Sequence, residues 1–405
     1  MSATYSQVEL DTIGTRARNA LWAIFGIMGL VSMGWVARVP EIKDIVDLNN
    51  GQFGLVLVSG TIGSLCGAQL SGRLIHTFGS RRVISFAIFV MPLGLIGMGL
   101  SQKTPYLVCS LFVMGFGYSS MDISVNTQAA VVEKIIKRRW MSTFHALWSL
   151  GAFSAALLGG AIAHFVSPRT HLVVLGFLCM LAYIPATIFV LPPDLDEHDG
   201  GGEETEAKIP LFGKSVLPLW GMGIAMLSGL VAEGASSDWG GILLRDSMGI
   251  EKGKNATAFG CFALAMITSR FLGDKMLHHF GPLRTVKIGG YLGGIGWGIG
   301  VLIAVPLSDS HQLLSLIIVD IGFALAGFGL GPMFPAIILA ASQTPGIASS
   351  VAMARVGVIG MMGFFIGPTI TGGLAELFSL PVAILFPAIC LTFAGYMSRS
   401  LRNAR

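Results

Sequence analysis

A carboxylate and a primary amide lie in a long run of the chain that otherwise reads as an apolar helix. Asp122 and Asn126 lie four residues apart in GFGYSSMDISVNTQ, residues 115–128. If this stretch is a helix, its rotation of about 100° per residue places both side chains on one face with Tyr118. A carboxylate held in apolar surroundings can bind and release a proton, and the amide and phenol can hydrogen-bond a polar ligand. The alternative is a structural aspartate hydrogen-bonded to Asn126 or to a neighbouring serine.

A second acidic stretch, AEGASSDWGG at residues 232–241, contains Glu233 and Asp238. Its many small residues predict a helix that bends or unwinds near these carboxylates. We expect Glu233, like Asp122, to be a candidate for proton exchange. Asp238 is predicted to contact a ligand, with a plain position at an interface as the alternative.

The composition indicates that these residues belong to a membrane protein. Of 405 residues, 53% are hydrophobic and 12% are charged, whereas about 25% of the residues of soluble domains are charged. Apolar runs of about 20 residues, long enough to cross a bilayer as helices, recur along the chain. We predict twelve spans, at 19–39, 52–72, 82–101, 106–131, 143–165, 171–191, 216–241, 256–277, 285–306, 312–338, 349–375 and 380–398. This pattern predicts an all-α membrane protein.

The distribution of basic residues predicts the orientation of these spans. With an even number of spans both termini lie on one side, and most of the 26 Lys and Arg residues fall in segments on that side. Cytoplasmic segments are enriched in these residues, so both termini are predicted to be cytoplasmic. Since topology explains the net charge of +4, the charge does not indicate nucleic-acid binding.

Four more residues near the ends of predicted spans are candidates for ligand binding. Trp35 and Trp239 stand at equivalent points of the first and seventh spans, and their rings can stack on a sugar-like solute. Tryptophans also collect at membrane surfaces, which is the alternative. Arg38 either contacts a carboxylate or an anionic ligand in a cavity, or extends to the interface beside Glu41. Asp320, in the outer half of the tenth span, has a possible role at the cavity or its gate.

The sequence predicts no enzyme, cofactor or metal site. The five cysteines lie in apolar runs without the spacing of metal ligands, and they imply no disulfide framework. No phosphate-binding loop and no set of catalytic residues on suitable elements is found. ATP is therefore not expected to drive the protein.

A charged, glycine-rich segment divides the chain into two halves that resemble each other. The segment begins PPDLDEHDGGG, and we predict domains at 1–191 and 216–405 joined by a cytoplasmic linker at 192–215. IHTFGSRRV at 75–83 matches LHHFGPLRTV at 277–286, and GFGYSSM at 115–121 matches GFGLGPM at 327–333. These matches in order argue for a duplication, in which Phe334 is the counterpart of Asp122.

The two six-helix halves and the loop GRLIHTFGSRR, residues 72–82, resemble the major facilitator superfamily. That resemblance implies two pseudo-symmetric six-helix bundles, with one cavity between them and a cytoplasmic gate. His76 departs from the loop pattern of the superfamily, G-x-L-x-D-R-x-G-R-[RK], because an aspartate is usual at its position. The candidate gate residues are Gly72, Arg73, His76, Gly79, Arg81, Arg82 and Arg355.

A closer likeness lies in MDISVNTQAAVVE, STFHALWSLGAF and AEGASSDWGGILLRDSMG. These stretches resemble the bacterial branch around the MosC and YbjJ membrane proteins, a relative of the fucose-permease-like sugar–proton symporters. That family also uses a carboxylate on its fourth helix, which agrees with a role of Asp122 in proton coupling.

These observations predict a secondary active transporter in the bacterial inner membrane. The favoured function is proton-coupled symport of a small polar solute, sugar-like or sugar-derived, by alternating access. Sodium remains an alternative coupling ion, and we expect a monomer in the lipid bilayer without nucleic-acid partners. Two other functions stay open: a proton-coupled exporter of amphipathic compounds, and a membrane sensor or structural partner that moves nothing.

Overall fold

The computed structural model describes residues 5–196, 213, 216–345, 347 and 349–403, and every regular element in these ranges is helical. Twelve helices of the described chain are long and apolar enough to cross a membrane. The prediction of an all-α membrane protein with twelve spans is therefore confirmed. Residues 197–212, 214 and 215, which form most of the expected linker, lie outside the described ranges.

The described residues of the first half form seven α-helices. They are α1 (Gln7–Met33), α2 (Val39–Ile45), α3 (Asn50–Phe78), α4 (Ser80–Leu100), α5 (Thr104–Ile136), α6 (Met141–Ala161) and α7 (Pro168–Ile188). Gly79 separates α3 from α4 with a φ of 85°, in the left-handed region that favours glycine. This single residue lets two long helices follow each other without a longer loop.

The part of the second half that the structure describes contains eight α-helices. They are α8 (Leu217–Asp238), α9 (Gly240–Ile242), α10 (Thr257–Leu307), α11 (Gln312–Leu330), α12 (Met333–Ser342), α13 (Ser349–Met361), α14 (Gly363–Leu377) and α15 (Leu380–Met397). The backbone of α10 is interrupted at Gly281, where φ is 72°. α10 and the short turn before it contain two of the candidate spans, Lys254–Gly273 and Lys275–Leu307, and Gly281 lies within the second.

The chain clusters into two compact units. The first unit comprises residues 1–47 and 59–202, and the second comprises residues 48–58 and 203–405. The sequence did not indicate that residues 48–58 would group with the second unit. The contacts explain the grouping: the Phe53 ring lies 5.6 Å from the Trp239 ring, and the Gly54 backbone approaches Gly372 and Pro368 closely.

The segment after α7 is attached to the first unit instead of beginning the linker at residue 192. The buried Gln128 of α5 accepts a hydrogen bond from the Leu191 amide (2.9 Å) and donates one to the Leu191 carbonyl (3.4 Å). Asp196 accepts hydrogen bonds from Ser80 Oγ (2.7 Å) and from the Arg81 amide (3.2 Å) at the start of α4. Residues 191–196 are therefore held in place, which corrects the expected start of a flexible linker.

Candidate functional site

Asp122 and Asn126 form a hydrogen-bonded pair on α5, as their spacing predicts. Asn126 Nδ2 donates to Asp122 Oδ1 at 3.0 Å and to the Asp122 carbonyl at 2.8 Å. Both side chains, and that of Tyr118 one turn earlier, are half-buried. Among the described residues, Asp122 Oδ2 accepts no hydrogen bond. The carboxylate thus has one oxygen held by the protein and one that a proton or a solute could reach.

Small residues set the position of α5 against α3. The carbonyl oxygen of Gly115 accepts a hydrogen bond from Ser64 Oγ at 3.2 Å. A Cβ at Gly115 would meet the backbone of Gly60, so the two helices touch along a face without side chains. Close backbone contact of this kind is how small residues join membrane helices. It holds the helix that bears Asp122 without using that residue.

Glu233 lies at a cavity inside the second unit. The cavity has a volume of about 50 Å³, which is room for a few water molecules. Its lining residues come from α8, α10, α11 and α12 and are Ala225, Met226, Gly229, Leu230, Glu233, Arg270, Leu330, Met333, Phe334 and Ile337. Glu233 and Arg270 are the charged members of this set, and the rest are apolar. An acid and a cation thus face one small and mostly apolar space.

Asp238 and Asp320 lie in the second unit with local partners of their own. Asp238, at the last position of α8, accepts a hydrogen bond from Ser237 Oγ at 3.1 Å. Asp320 on α11 accepts one from Thr257 Oγ1 at the start of α10, at 3.2 Å. Both are half-buried, and neither lines the cavity at Glu233. The structure does not gather the predicted carboxylates of this unit into one cluster.

Trp239 and Trp35 are core residues. Trp239 is fully buried and packs edge-to-face on Phe53. Trp35 is buried as well, with 7% of its surface exposed. A ring without an exposed face cannot stack on a solute in this conformation. Both rings therefore pack as core side chains here, which was neither of the two positions that the sequence suggested.

Arg38 is enclosed by groups of the first unit. Its side chain is fully buried and donates hydrogen bonds to His171 Nδ1 (3.1 Å), Glu41 Oε2 (3.0 Å) and the carbonyls of Ala163 (3.3 Å) and Val166 (3.0 Å). These bonds join the end of the first span to the α6–α7 connection and to α7. Because His171 accepts from a guanidinium, this ring nitrogen is unprotonated. The contacts favour a structural role over ligand binding for Arg38.

The predicted gate loop, residues 72–82, spans the end of α3, Gly79 and the start of α4. Gly72, Arg73, His76 and Arg82 are exposed, Gly79 is buried, and Arg81 and Arg355 are half-buried. A carboxylate does approach this loop, although His76 replaces the usual aspartate. Asp196, which comes from the segment after α7, supplies it at the start of α4.

Sequence reasoning missed Arg270, Asp196 and Gln128. Arg270 had a usable signal, because an ionisable residue inside an apolar run is itself a functional hint and the same criterion selected Glu233. Asp196 and Gln128 had none, since each acts on a segment more than 60 positions away. The described residues contain no group of three or more His, Cys, Asp or Glu side chains that could hold a metal.

Comparison with known proteins places this geometry among membrane transporters. The sequence pattern of the Major Facilitator Superfamily matches residues 20–351. An uncharacterised transporter of this type from Yersinia pestis is 31% identical over 383 residues, which cover 93% of this chain and 94% of that protein. The membrane protein MosC of Rhizobium meliloti is 26% identical over 370 residues, covering 89% and 84%.

A solved structure has the same fold. The bacterial homologue of the human lysosomal transporter Spinster, in an inward-facing and unoccupied conformation, superposes with a TM-score of 0.74. The match covers 97% of this chain and 98% of that chain at 15% sequence identity. At this identity the likeness concerns the fold alone.

Proposed function

Because the chain belongs to the Major Facilitator Superfamily and is a transporter, not an enzyme, we propose that it performs proton-coupled symport. The solute of this proposal is small and polar, sugar-like or sugar-derived, and moves by alternating access. The protein works in the bacterial inner membrane with both termini in the cytoplasm, most simply as a monomer. Sodium is the alternative coupling ion to be tested.

The observation that most supports this function is the state of Asp122. A carboxylate inside a span has few reasons to persist unless it is paired or functional, because its charged form is costly in the hydrocarbon region. Asp122 has one neutral partner, Asn126, and an oxygen that the described residues leave without a hydrogen bond. A carboxylate with a neutral partner can gain or lose its proton without breaking an ion pair. It is therefore suited to reversible protonation.

Glu233 supplies the second titrating carboxylate of the proposal. It shares its cavity with Arg270, and the two charges interact. Protonation of Glu233 would change the net charge that faces the cavity, and thus the affinity of the cavity for a charged or polar group. This property lets a proton and a solute influence each other at one place in the second unit.

The solute-binding groups of the proposal are the polar side chains that keep some exposure. In the first unit these are Asn126 and Tyr118, and in the second Asp238 and Asp320. Amide, phenol and carboxylate groups together donate to and accept from hydroxyl groups. Arg38, Trp35 and Trp239 are left out of this set, because each is buried in protein contacts.

Uptake into proteoliposomes tests the proposal directly. A panel of neutral hexoses and pentoses is screened for alkalinisation of the medium on addition of the sugar, and the active sugar is then used with Asp122→Asn. We expect this variant to lose uptake driven by a pH gradient and to retain counterflow exchange, because exchange needs no net proton movement.

Asp47→Asn is the matched control for that test. Asp47 is exposed outside the spans and has a φ of 54°, a conformation that asparagine tolerates well. This control should transport as the unaltered protein does. Full uptake driven by a pH gradient in Asp122→Asn would refute the assignment. Uptake driven by a sodium gradient instead of a proton gradient would show that sodium is the coupling ion.

One observation favours a second candidate, a proton-coupled exporter of amphipathic compounds. Eight of the ten residues that line the cavity at Glu233 are apolar, and Phe334 presents an exposed aromatic ring there. A mostly apolar lining with an aromatic ring suits an amphipathic organic cation at least as well as a sugar. Cells that express the protein and keep ethidium out in a manner dependent on Glu233 would support export over symport.

A further inference from the structure

Two tryptophans and two arginines form a cluster at one end of the first unit. The rings of Trp22 on α1 and Trp140 at the start of α6 meet edge-to-face with centroids 5.4 Å apart. The Arg18 guanidinium lies 4.6 Å from the Trp22 centroid and 4.9 Å from the Trp140 centroid. The Arg138 guanidinium lies 4.5 Å from the Trp140 centroid. We name these four residues the Arg–Trp cluster.

The connection between α5 and α6 holds Trp140 in the cluster. α5 ends at Ile136, and the next residue, Lys137, has the left-handed conformation (φ 54°) that ends the helix. Glu133 Oε1 accepts hydrogen bonds from the backbone amides of Trp140 and Met141. Through these bonds the Glu133 carboxylate contacts the amino end of α6, where a negative charge is favourable. These bonds hold the backbone of Trp140 in place, and they engage the Glu133 carboxylate.

The cluster is surrounded by basic residues and by no further acids in its two segments. Residues 16–22 read RARNALW and residues 134–140 read KIIKRRW. The exposed basic side chains of these segments are Arg16, Lys134, Lys137, Arg138 and Arg139. Among the described residues, Arg138 makes no hydrogen bond or ion pair. Arg18 donates hydrogen bonds only to the side-chain oxygen of Asn19, Oδ1. Together these two segments carry six basic residues and no acid.

We infer that the Arg–Trp cluster binds the phosphate headgroup of an anionic phospholipid. Indole rings are favoured at the level of lipid headgroups. A guanidinium group can donate two parallel hydrogen bonds to the oxygens of one phosphate. Stacking on the rings keeps both guanidinium groups oriented, so less conformational freedom is lost on binding. The predicted topology places this end of the unit in the cytoplasm, and the cytoplasmic leaflet is the anionic one.

Lipid titration of the purified full-length protein in detergent tests the inference. Phosphatidylglycerol and phosphatidylcholine with the same acyl chains are added, and the midpoint of thermal unfolding is followed. We expect phosphatidylglycerol to raise the midpoint and phosphatidylcholine to leave it nearly unchanged. In Arg18→Gln/Arg138→Gln the apparent affinity for phosphatidylglycerol should fall roughly 25-fold, since each basic residue near an anionic surface contributes roughly fivefold.

Arg284→Gln/Lys287→Gln is the matched control, because it removes two exposed basic residues from the second unit. It should keep the phosphatidylglycerol response. Trp140→Leu retains every charge and should weaken the response, which separates an ordered cluster from a general attraction. Equal responses to the two lipids, an equal loss in the control, or the same stabilisation by inorganic phosphate alone would each overturn the inference.

Discussion

Ser80 Oγ donates a hydrogen bond of 2.7 Å to Asp196 Oδ1 across 116 positions of the sequence. The amino end of α4 has no cap from its own neighbour, because Gly79 occupies that position. Asp196 takes over the role, and in return Arg81 donates to the carbonyl of Ile188 at the end of α7 (3.3 Å). The predicted gate loop and the segment before the linker therefore stabilise each other.

Asp196→Ala should destabilise the first unit by about 2 kcal/mol. The variant loses hydrogen bonds to a buried carboxylate and leaves the end of α4 without a cap. Thermal or denaturant unfolding in detergent measures the change. Asp309→Asn, an exposed acid outside the regular helices, should stay within about 0.5 kcal/mol of the unaltered protein. An unchanged stability of Asp196→Ala would show that the cap is not needed.

Arg38→Gln should be more damaging, with a loss of about 3–5 kcal/mol. The substitution removes the buried guanidinium that donates to Glu41, His171 and two backbone carbonyls. Arg38→Lys should recover only part of the loss, because an ammonium cannot reproduce the fork of donors. Unfolding measurements decide this, with the exposed Arg169→Gln as the control. Equal stability of the Arg38 and Arg169 variants would contradict the structural role.

A pair of glycine substitutions tests the packing of the first unit. A Cβ at Gly29 would meet the backbone of Trp148 and Ala152, so Gly29→Ala should push α1 and α6 apart and cost about 1–3 kcal/mol or more. At Gly373 nothing lies within 4 Å of an added Cβ. Gly373→Ala should be neutral or stabilising by up to about 1 kcal/mol, because alanine favours the helix. Equal effects of the two changes on the unfolding midpoint would speak against this packing.

One contact outside the spans should depend on pH. A hydrogen bond to the Asp194 carboxylate raises the pKa of Tyr5. A group whose pKa is higher in the folded state stabilises that state below its unfolded pKa, so the contribution is lost as the pH rises through the folded value, above about 10. Tyr5→Phe should lack this contribution at neutral pH, and the two proteins should converge in alkaline solution. A constant difference at all pH values would contradict the contact.

Local features of this protein were predictable from its sequence, whereas distant contacts were not. The pairing of Asp122 with Asn126 follows from the geometry of one helix, and the spans follow from runs of apolar residues. The burial of Trp239 and the bonds of Arg38 depend on segments that fold against them from elsewhere in the chain. A single sequence contains no information about which of many apolar faces meet, so the candidate site was predicted only where its residues are neighbours.

The bond between Gln128 and Leu191 has a consequence for how this position can vary among related chains. A primary amide offers a donor and an acceptor side by side, as a peptide group does, so the side chain pairs with the chain after α7 like one rung of a sheet. Glutamate lacks the donor, methionine has the shape without strong polar groups, and asparagine is one carbon too short. We expect substitution at this position to occur together with changes in the backbone that follows the sixth span, so that variation at one place marks rearrangement at the other.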